Sequence, residues 1–333
     1  MTAPTVGRNP SLSVLHSTRS GNMRSGTLER MSSARNPDDF LSDITVPFDG
    51  IDEVRKAKLW SRDKLGILAM YLPAFASACH EKAPDFYFVD GLAGPGLYYF
   101  EATKAWVLGS TLLALRATPP FAKVVSMELS KAKARALTRR TDSVRERSIV
   151  EPGDCNRDLI PLMEREIPKA APVVVFLDPE GLELEWHTVV KMSEFRRGNR
   201  KVELLILVPT GSIGRSAEVE EDYETHGATK TDFMFPNHSS WRRAWAARKG
   251  DELTPEGFRE ALAEDYKQGL SDLGYRHVET RAITHGGRDD ASVYHLVFAT
   301  DHEAGQRIME HVFSKMYSTK RGVRRDQGTL PGF

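Results

Sequence analysis

The chain has 333 residues, 40% of them hydrophobic and 28% charged, with 46 Lys and Arg set against 46 Asp and Glu. That length suits one elaborated domain, or one domain with an insert, and the balanced charge supplies no global field to draw in nucleic acid, so any such contact has to come from a local patch. No apolar run approaches the ~20 residues a membrane span needs and the N-terminus has no apolar signal-peptide core, so no membrane contact and a cytoplasmic location are expected.

Residues 1–45 read as a disordered arm. They are rich in Ser, Thr, Asn and Gly, and Arg8, Arg19, Arg24, Arg30 and Arg35 meet almost no acid before Asp38. Such a stretch buries too little apolar surface to offset its ordering entropy, and a spacer is its simplest role. A domain over 46–318 follows. Ser61 is placed to cap a helix carrying Leu65, Leu68, Leu72 and Phe75 at helical spacing, with Pro73 expected to kink or divide it. Phe86–Asp90 is a short apolar run ending in an acid, the pattern of a buried strand. Val124–Glu128 is a second strand, a helix is predicted over 130–142, and Ser148–Val150 is a third strand leading to Gly153-Asp154. A helix over 156–165 precedes the strongest strand, Val173–Asp178, and another helix precedes Leu204–Val208. Strands alternating with helices imply crossovers and a parallel sheet covered on both faces. Residues 211–253 break the alternation and read as an inserted lid or docking segment. A helix resumes at Pro255 and ends by Gly274. The β-rich runs Arg276–Thr284 and Val293–Phe298, joined through Gly286-Gly287, suggest a hairpin. A helix over 302–316 and a basic tail, 319–333, close the chain.

The loop Asp90-Gly91-Leu92-Ala93-Gly94-Pro95-Gly96 is the first chemical signal. In a dinucleotide site the glycine loop runs directly into a helix whose N-terminus receives the pyrophosphate. Here Pro95 interrupts it, and the next helix signal is Gly109-Ser110. Asp90 would repel a pyrophosphate but attract a cation, and no Gly-Lys-Ser/Thr follows to make a phosphate loop. S-adenosylmethionine offers an ammonium and a sulfonium, and charge-assisted hydrogen bonds are worth about 1.5–3 kcal/mol each. Gly91, Gly94 and Gly96 let the backbone approach such a ligand. Glu128, ending the second strand, is placed to accept ribose hydroxyls, and Asp154, after the third, to meet the adenine edge. Each acid alone reads as a solvated strand end; three in order after three successive strands favour a site. Asp178-Pro179-Glu180-Gly181 follows the strongest strand. Asp178 there is a candidate to orient or deprotonate a substrate group, with Glu180 a second candidate; a capping turn is the alternative.

These residues, with Trp60-Ser61-x-x-Lys64-Leu65, Tyr71-Leu72, Leu177-Asp178-Pro179-x-Gly181-Leu182, Trp186 and the closing Tyr294, Leu296 and Phe298, resemble the three-Cys-motif partner (TcmP) family over roughly residues 48–316. The resemblance implies a Rossmann-like class I methyltransferase fold: α/β, with a mostly parallel seven-stranded sheet, helices on both faces and an antiparallel C-terminal hairpin. It implies S-adenosylmethionine as cofactor and, as partner, a three-Cys-motif iron–sulfur protein that carries the cysteines this chain lacks. One departure is Glu180, where nucleobase amino-methyltransferases place an aromatic ring to stack on an extruded base; this speaks against nucleobase methylation unless Tyr98, Tyr99 or Trp106 stacks instead.

Trp241-Arg242-Arg243-Ala244-Trp245 mixes stacking and phosphate-binding side chains, which makes nucleic acid a candidate partner; Trp241 and Trp245 also stand at i, i+4, so a core-facing helix stripe is the simpler reading. The acidic run Glu218–Asp222 reads as a solvated loop or a seat for a basic partner. Cys79 and Cys155 are expected as reduced thiols, and His226, His238 and His285 show no metal-ligand spacing, so no metal is expected. The sequence therefore points to an S-adenosylmethionine-dependent methyltransferase, with a catalytically silent S-adenosylmethionine-binding subunit of an iron–sulfur protein as the alternative.

Overall fold

The computed structural model describes residues 42–325 apart from 59, 197, 199, 214–228 and 285–290, and only the backbone of His238 and of 317–325. Two short strands, β1 (Thr45–Val46) and β2 (Arg55–Ala57), precede helix α1 (Ser61–His80). The chain continues through β3 (Tyr87–Asp90), β4 (Leu97–Phe100), β5 (Ala105–Leu108), α2 (Ser110–Arg116), β6 (Lys123–Glu128), α3 (Lys131–Thr141), β7 (Ser148–Pro152), α4 (Cys155–Glu166), β8 (Val173–Leu177), α5 (Trp186–Ser193) and β9 (Glu203–Val208). Then come α6 (Lys230–Met234), α7 (His238–Lys249), α8 (Pro255–Asp272), β10 (His277–Thr284), β11 (Ser292–Thr300) and α9 (Glu303–Arg325).

The apolar runs form the interior strands of one large sheet. Its order is β7-β6-β3-β8-β9-β11-β10. The pairs from β7 to β9 are parallel; β11 joins β9, and β10 joins β11, antiparallel. This is the Rossmann-like class I α/β arrangement with its antiparallel C-terminal hairpin. The period-2 side-chain alternation of a strand divides the core in two. Tyr87, Val89, Val125, Met127, Val173, Val175, Leu177, Leu204 and Ile206 face one side and meet α4, α5, α7 and α8. Phe88, Val124, Val174, Phe176, Leu205 and Leu207 face the other and meet α1, α2 and α9.

Several local expectations are revised. Ser61 is the first residue of α1, not its cap; Trp60 holds the cap position, and its side chain does not cap the helix. Pro73 does not divide α1, which runs through it for 20 residues, with the Ser77 hydroxyl donating to the Pro73 carbonyl at 2.9 Å. A second, four-stranded sheet, β1-β5-β4-β2, is present that the sequence pattern does not announce. Its β4–β5 hairpin turns at Lys104, a non-glycine residue at φ 51°, so no Gly or Pro marks it. Residues 211–253, polar in sequence, nonetheless bury Met234, Phe235 and Trp241 in the main core. The last helix continues beyond 316 to Arg325, into the expected basic tail. Most of the predicted arm, the acidic run Glu218–Asp222, His226, His285 and the turn Gly286-Gly287 lie outside the described residues.

Glu203, opening β9, is buried on the core side of the sheet. Its carboxyl accepts hydrogen bonds from the Tyr71 hydroxyl and, at 3.1 Å, from the Thr300 hydroxyl. Burial pushes it up to about 7 from 4.5, against the two hydroxyl bonds that pull it down. A raised folded-state value means stability that is complete below the unfolded value and lost as pH rises through the folded one. Glu203→Gln is therefore expected to cut the stability lost between pH 5 and pH 8 by about 2–3 kcal/mol relative to the parent. Urea midpoints at the two pH values measure this, and parallel pH profiles for parent and variant would contradict it.

Candidate active site

Strand order reverses at β3: the chain crosses to β6 and β7 on one side, and to β8 and β9 on the other. Such a reversal leaves a crevice beyond the carboxyl ends of the strands. A cavity of about 570 Å³ opens there, within the range of small-molecule sites. Of the residues singled out in the sequence, Gly91, Gly94, Glu128, Asp154, Asp178 and Glu180 line it; Asp90 and Gly96 do not.

Asp90 lies one layer below. Its Oδ2 accepts the hydroxyls of Ser110 at 2.6 Å and Thr111 at 2.8 Å, tying the end of β3 to the start of α2. Its Oδ1 is buried without a partner among the described residues, and burial pushes the carboxyl up to about 6. Gly91 is glycine for packing: a Cβ there would stand 2.5 Å from Leu177 Cδ2 and 2.9 Å from Leu159 Cδ2. Gly94 is different. It sits at φ +63°, and a Cβ there would have nothing within 4 Å, so its backbone borders open cleft. Gly96 packs against Leu137 of α3.

Glu128 is 8% exposed, and its carboxylate clamps two turns. Oε2 accepts the Gly94 N–H at 2.8 Å and Oε1 the Ser130 N–H at 2.8 Å, leaving each oxygen a further lone pair. Asp154 is the N-cap of α4, accepting the Asn156 N–H at 2.9 Å, while still lining the cleft.

Asp178 is 2% exposed and is the hub of a cluster. The buried Lys64 of α1 donates to its Oδ2, as do Arg55 of β2 at 3.2 Å and Tyr98 of β4 at 3.4 Å. Arg55 also donates to the Tyr98 hydroxyl at 3.1 Å and lies 3.4 Å from Glu180, which Lys133 approaches at 3.4 Å. Burial pulls the Asp178 carboxyl upward, but Lys64 and Arg55 outweigh it and hold the group below its ordinary range. Burial lowers Lys64 to about 8, partly offset by the attraction of Asp178. Asp178 Oδ1 is buried and has no partner among the described residues. A carboxylate so compensated is a weak proton acceptor and a strong hydrogen-bond acceptor.

Sequence reasoning misses Arg55, Lys64, Lys133, Leu129 and Phe233 as site residues, and it considers Tyr98 only as a ring to stack on a base, not as a hydrogen-bond donor to Asp178. Arg55 and Lys64 meet Asp178 across 123 and 114 positions of chain, beyond the reach of any local motif. Leu129 is legible in principle: it directly follows Glu128 and precedes the helix-capping Ser130, and it is 73% exposed in the cleft. Phe233 of α6, 49% exposed, lines the same cleft, so part of the 211–253 segment borders the site.

The aromatic–basic stretch in α7 is corrected. Trp241 is 2% exposed and donates to Asp232 at 2.9 Å, Arg242 pairs with the same carboxylate at 2.6 Å, and Trp245 packs on Phe258. Trp241 and Arg242 thus present no stacking face or free charge to a nucleic acid. Arg243 remains at the surface, bonded to Ser239 at 2.9 Å.

No family model and no curated protein matches the chain. Among solved structures it is similar to the methyltransferase domain of bacterial CtHen1, at 12% identity over 72% of this chain and 99% of that one, with a TM-score of 0.35. It is also similar to Trm1 from Pyrococcus horikoshii, solved with S-adenosyl-L-methionine, at 12% identity over 75% of this chain and 58% of that one, with a TM-score of 0.38. A third is the O-methyltransferase from Bacillus cereus in complex with SAH, at 12% identity over 79% of this chain and 96% of that one, with a TM-score of 0.38.

Breaking a buried ion pair by removing one partner strands the other charge, at a cost of about 3–5 kcal/mol. Lys64→Met is expected to destabilise by about 3 kcal/mol, and Lys64→Met combined with Asp178→Asn by less than the single change. Urea titration of the two single variants and the double closes the cycle; simple additivity would show the pair to be uncoupled.

Proposed function

We propose that this chain is an S-adenosylmethionine-dependent methyltransferase whose cofactor occupies the cleft beyond β3, β6, β7 and β8. The observation that carries the reading is the cleft's lining. Glu128, Asp154, Asp178, Glu180, Glu183 and Glu185 outnumber Arg55, Lys133 and Lys230, which suits a ligand of net positive charge. Gly94 offers backbone beside Glu128, whose spare lone pairs suit a ribose diol. Leu129 and Phe233 offer the apolar surface an adenine ring needs, and α6 would act as a lid through Phe233. Asp90, one layer below the cleft with its Oδ1 unpartnered among the described residues, suits the methionine ammonium through its negative charge rather than by direct contact.

When bound, the cofactor supplies an electrophilic methyl group. The chain's own residues supply position and exclusion of water. Asp178, anionic and immobilised by Lys64, Arg55 and Tyr98, accepts a hydrogen bond from the methyl acceptor through Oδ1 and orients its nucleophilic atom. Glu180, at the exposed mouth, is the candidate to take up the released proton.

A second reading is a silent S-adenosylmethionine-binding subunit of a three-Cys-motif iron–sulfur protein, as the sequence resemblance implies. One feature favours it: both candidate catalytic acids are already tied to cations of the same chain, Asp178 to Lys64 and Arg55, Glu180 to Arg55 and Lys133.

Calorimetry with S-adenosylmethionine is expected to show binding by the parent and, in Glu128→Ala, a loss of about 100-fold or more, the worth of two charge-assisted hydrogen bonds. A parent that binds none sinks the cofactor assignment; a variant that binds like the parent removes Glu128 from the ribose. Methyl-labelled cofactor mixed with total RNA, DNA and protein then separates the readings, since the silent subunit binds without transferring label.

A further inference from the structure

A second cavity lies at the opposite end of the large sheet, at the amino ends of β3, β8 and β9. It measures about 330 Å³ and is lined by residues from α1, β9, α9 and the segment between α5 and β9. Its floor is apolar: Phe75, Ala78, Pro172 and Ile308. Its rim carries four cationic side chains, Lys82, Arg196, Arg200 and Lys201, against two carboxyls, Glu203 and Asp301.

The carboxyls neutralise that rim only in part. Glu203 is turned inward, with both oxygens engaged by Tyr71 and Thr300, and burial pushes it up to about 7. Asp301 accepts the backbone N–H of Lys201 at 3.1 Å. Arg196 is held in place by the carbonyls of Lys201 at 3.1 Å and Ala170 at 3.0 Å, and its Nε is buried without a partner among the described residues. Burial and the adjacent Arg200 charge both lower the proton affinity of Arg196. Neighbouring like charges, one of them with an unanswered buried donor, favour an anion between them. The N-terminus of α9 adds to this: Ala304 and Gly305 line the cavity, so the positive end of a 23-residue helix borders it.

We infer that this cavity is an anion-binding site, distinct from the cleft at the other end of the sheet, for a small organic phosphate whose apolar body rests on Phe75, Pro172 and Ile308 and whose oxyanion meets Arg196 and Arg200; the Lys201 ammonium is turned to the Ser193 carbonyl at 3.4 Å and the Tyr275 ring. Because the two cavities share no residue, the inference stands independently of what the cleft binds.

The chain's two cysteines report on the two cavities separately: Cys79 lines this one and Cys155 the cleft. Phenyl phosphate is the probe, with inorganic phosphate as its comparison. Calorimetry on the full chain is expected to show saturable binding, tighter for phenyl phosphate than for inorganic phosphate. Arg200→Ala, at an exposed position outside both cores, is expected to weaken it about tenfold, the worth of one charge-assisted bond, while leaving the urea midpoint unchanged. Alkylation at pH 9, read by mass spectrometry, is slow at Cys79 because burial pushes its thiol up to about 12. It is expected to slow further with phenyl phosphate while Cys155 is unaffected. Absence of binding, equal affinity for the two phosphates, undiminished binding by Arg200→Ala, or unchanged alkylation of Cys79 would each overturn the inference.

Discussion

A carboxylate removed from water has to be compensated, and Asp178 finds its compensation on elements far from it in the chain. Lys64 reaches it from α1, Arg55 from β2 and Tyr98 from β4. The cost of burying three ionic groups is met by their mutual attraction and by the hydrogen bonds that converge on Asp178 Oδ2. The result is more than a local pair. It pins the small sheet and α1 onto the tip of β8, and so fixes one wall of the cleft. Arg55 then passes the constraint outward to Glu180, and Lys133 of α3 meets the same carboxylate from the other side.

The opposite wall rests on a second carboxylate with a related task. Glu128 holds the glycine loop and the start of α3 through two backbone N–H groups. Asp154 caps α4 through one backbone N–H, and Asp90, below the crevice, holds the start of α2 through the hydroxyls of Ser110 and Thr111. The acids at the strand tips therefore fasten neighbouring helices and loops, and Glu128 and Asp154 keep acceptor capacity toward the crevice. The two readings of a strand-tip acid, cap or ligand, are compatible in these residues because a carboxylate offers about four lone-pair sites and a cap uses one or two.

Much of this is legible in the sequence because it is local. Continuous apolar runs announce the interior strands, and an acid following each of three strands announces the crevice, since both are written within a few residues. The glycine loop is legible, and Gly91 and Gly94 both line the cleft; that Gly91 is also held to glycine by Leu177 and Leu159 is not legible, because those residues lie on two other elements. The Asp178 cluster is illegible for the same reason: nothing near Arg55 or Lys64 indicates that a carboxylate more than a hundred positions away will meet them. The four-stranded sheet escapes because its strands are two to four residues long and its turn uses Lys104. Trp241 and Arg242 show the converse case: of the two readings of this stretch, nucleic-acid contact and core-facing stripe, the second holds for Trp241, and Asp232 takes up both side chains.

The β4–β5 hairpin leaves the main fold at Gly96 and returns at Gly109, and these two ends touch: the Gly109 N–H donates to the Gly96 carbonyl at 2.8 Å, and a Cβ on Gly109 would lie 2.9 Å from that oxygen. The excursion is thus cinched at its root. Loop-closure entropy depends only weakly on what lies between two ends already joined. The freedom lies at the tip: the turn from Glu101 to Lys104 can vary while the floor beneath stays in register, whereas β4 and β5 are held by pairing with β2 and β1, Trp106 by its stack on Phe48, and Tyr98 by Arg55 and Asp178.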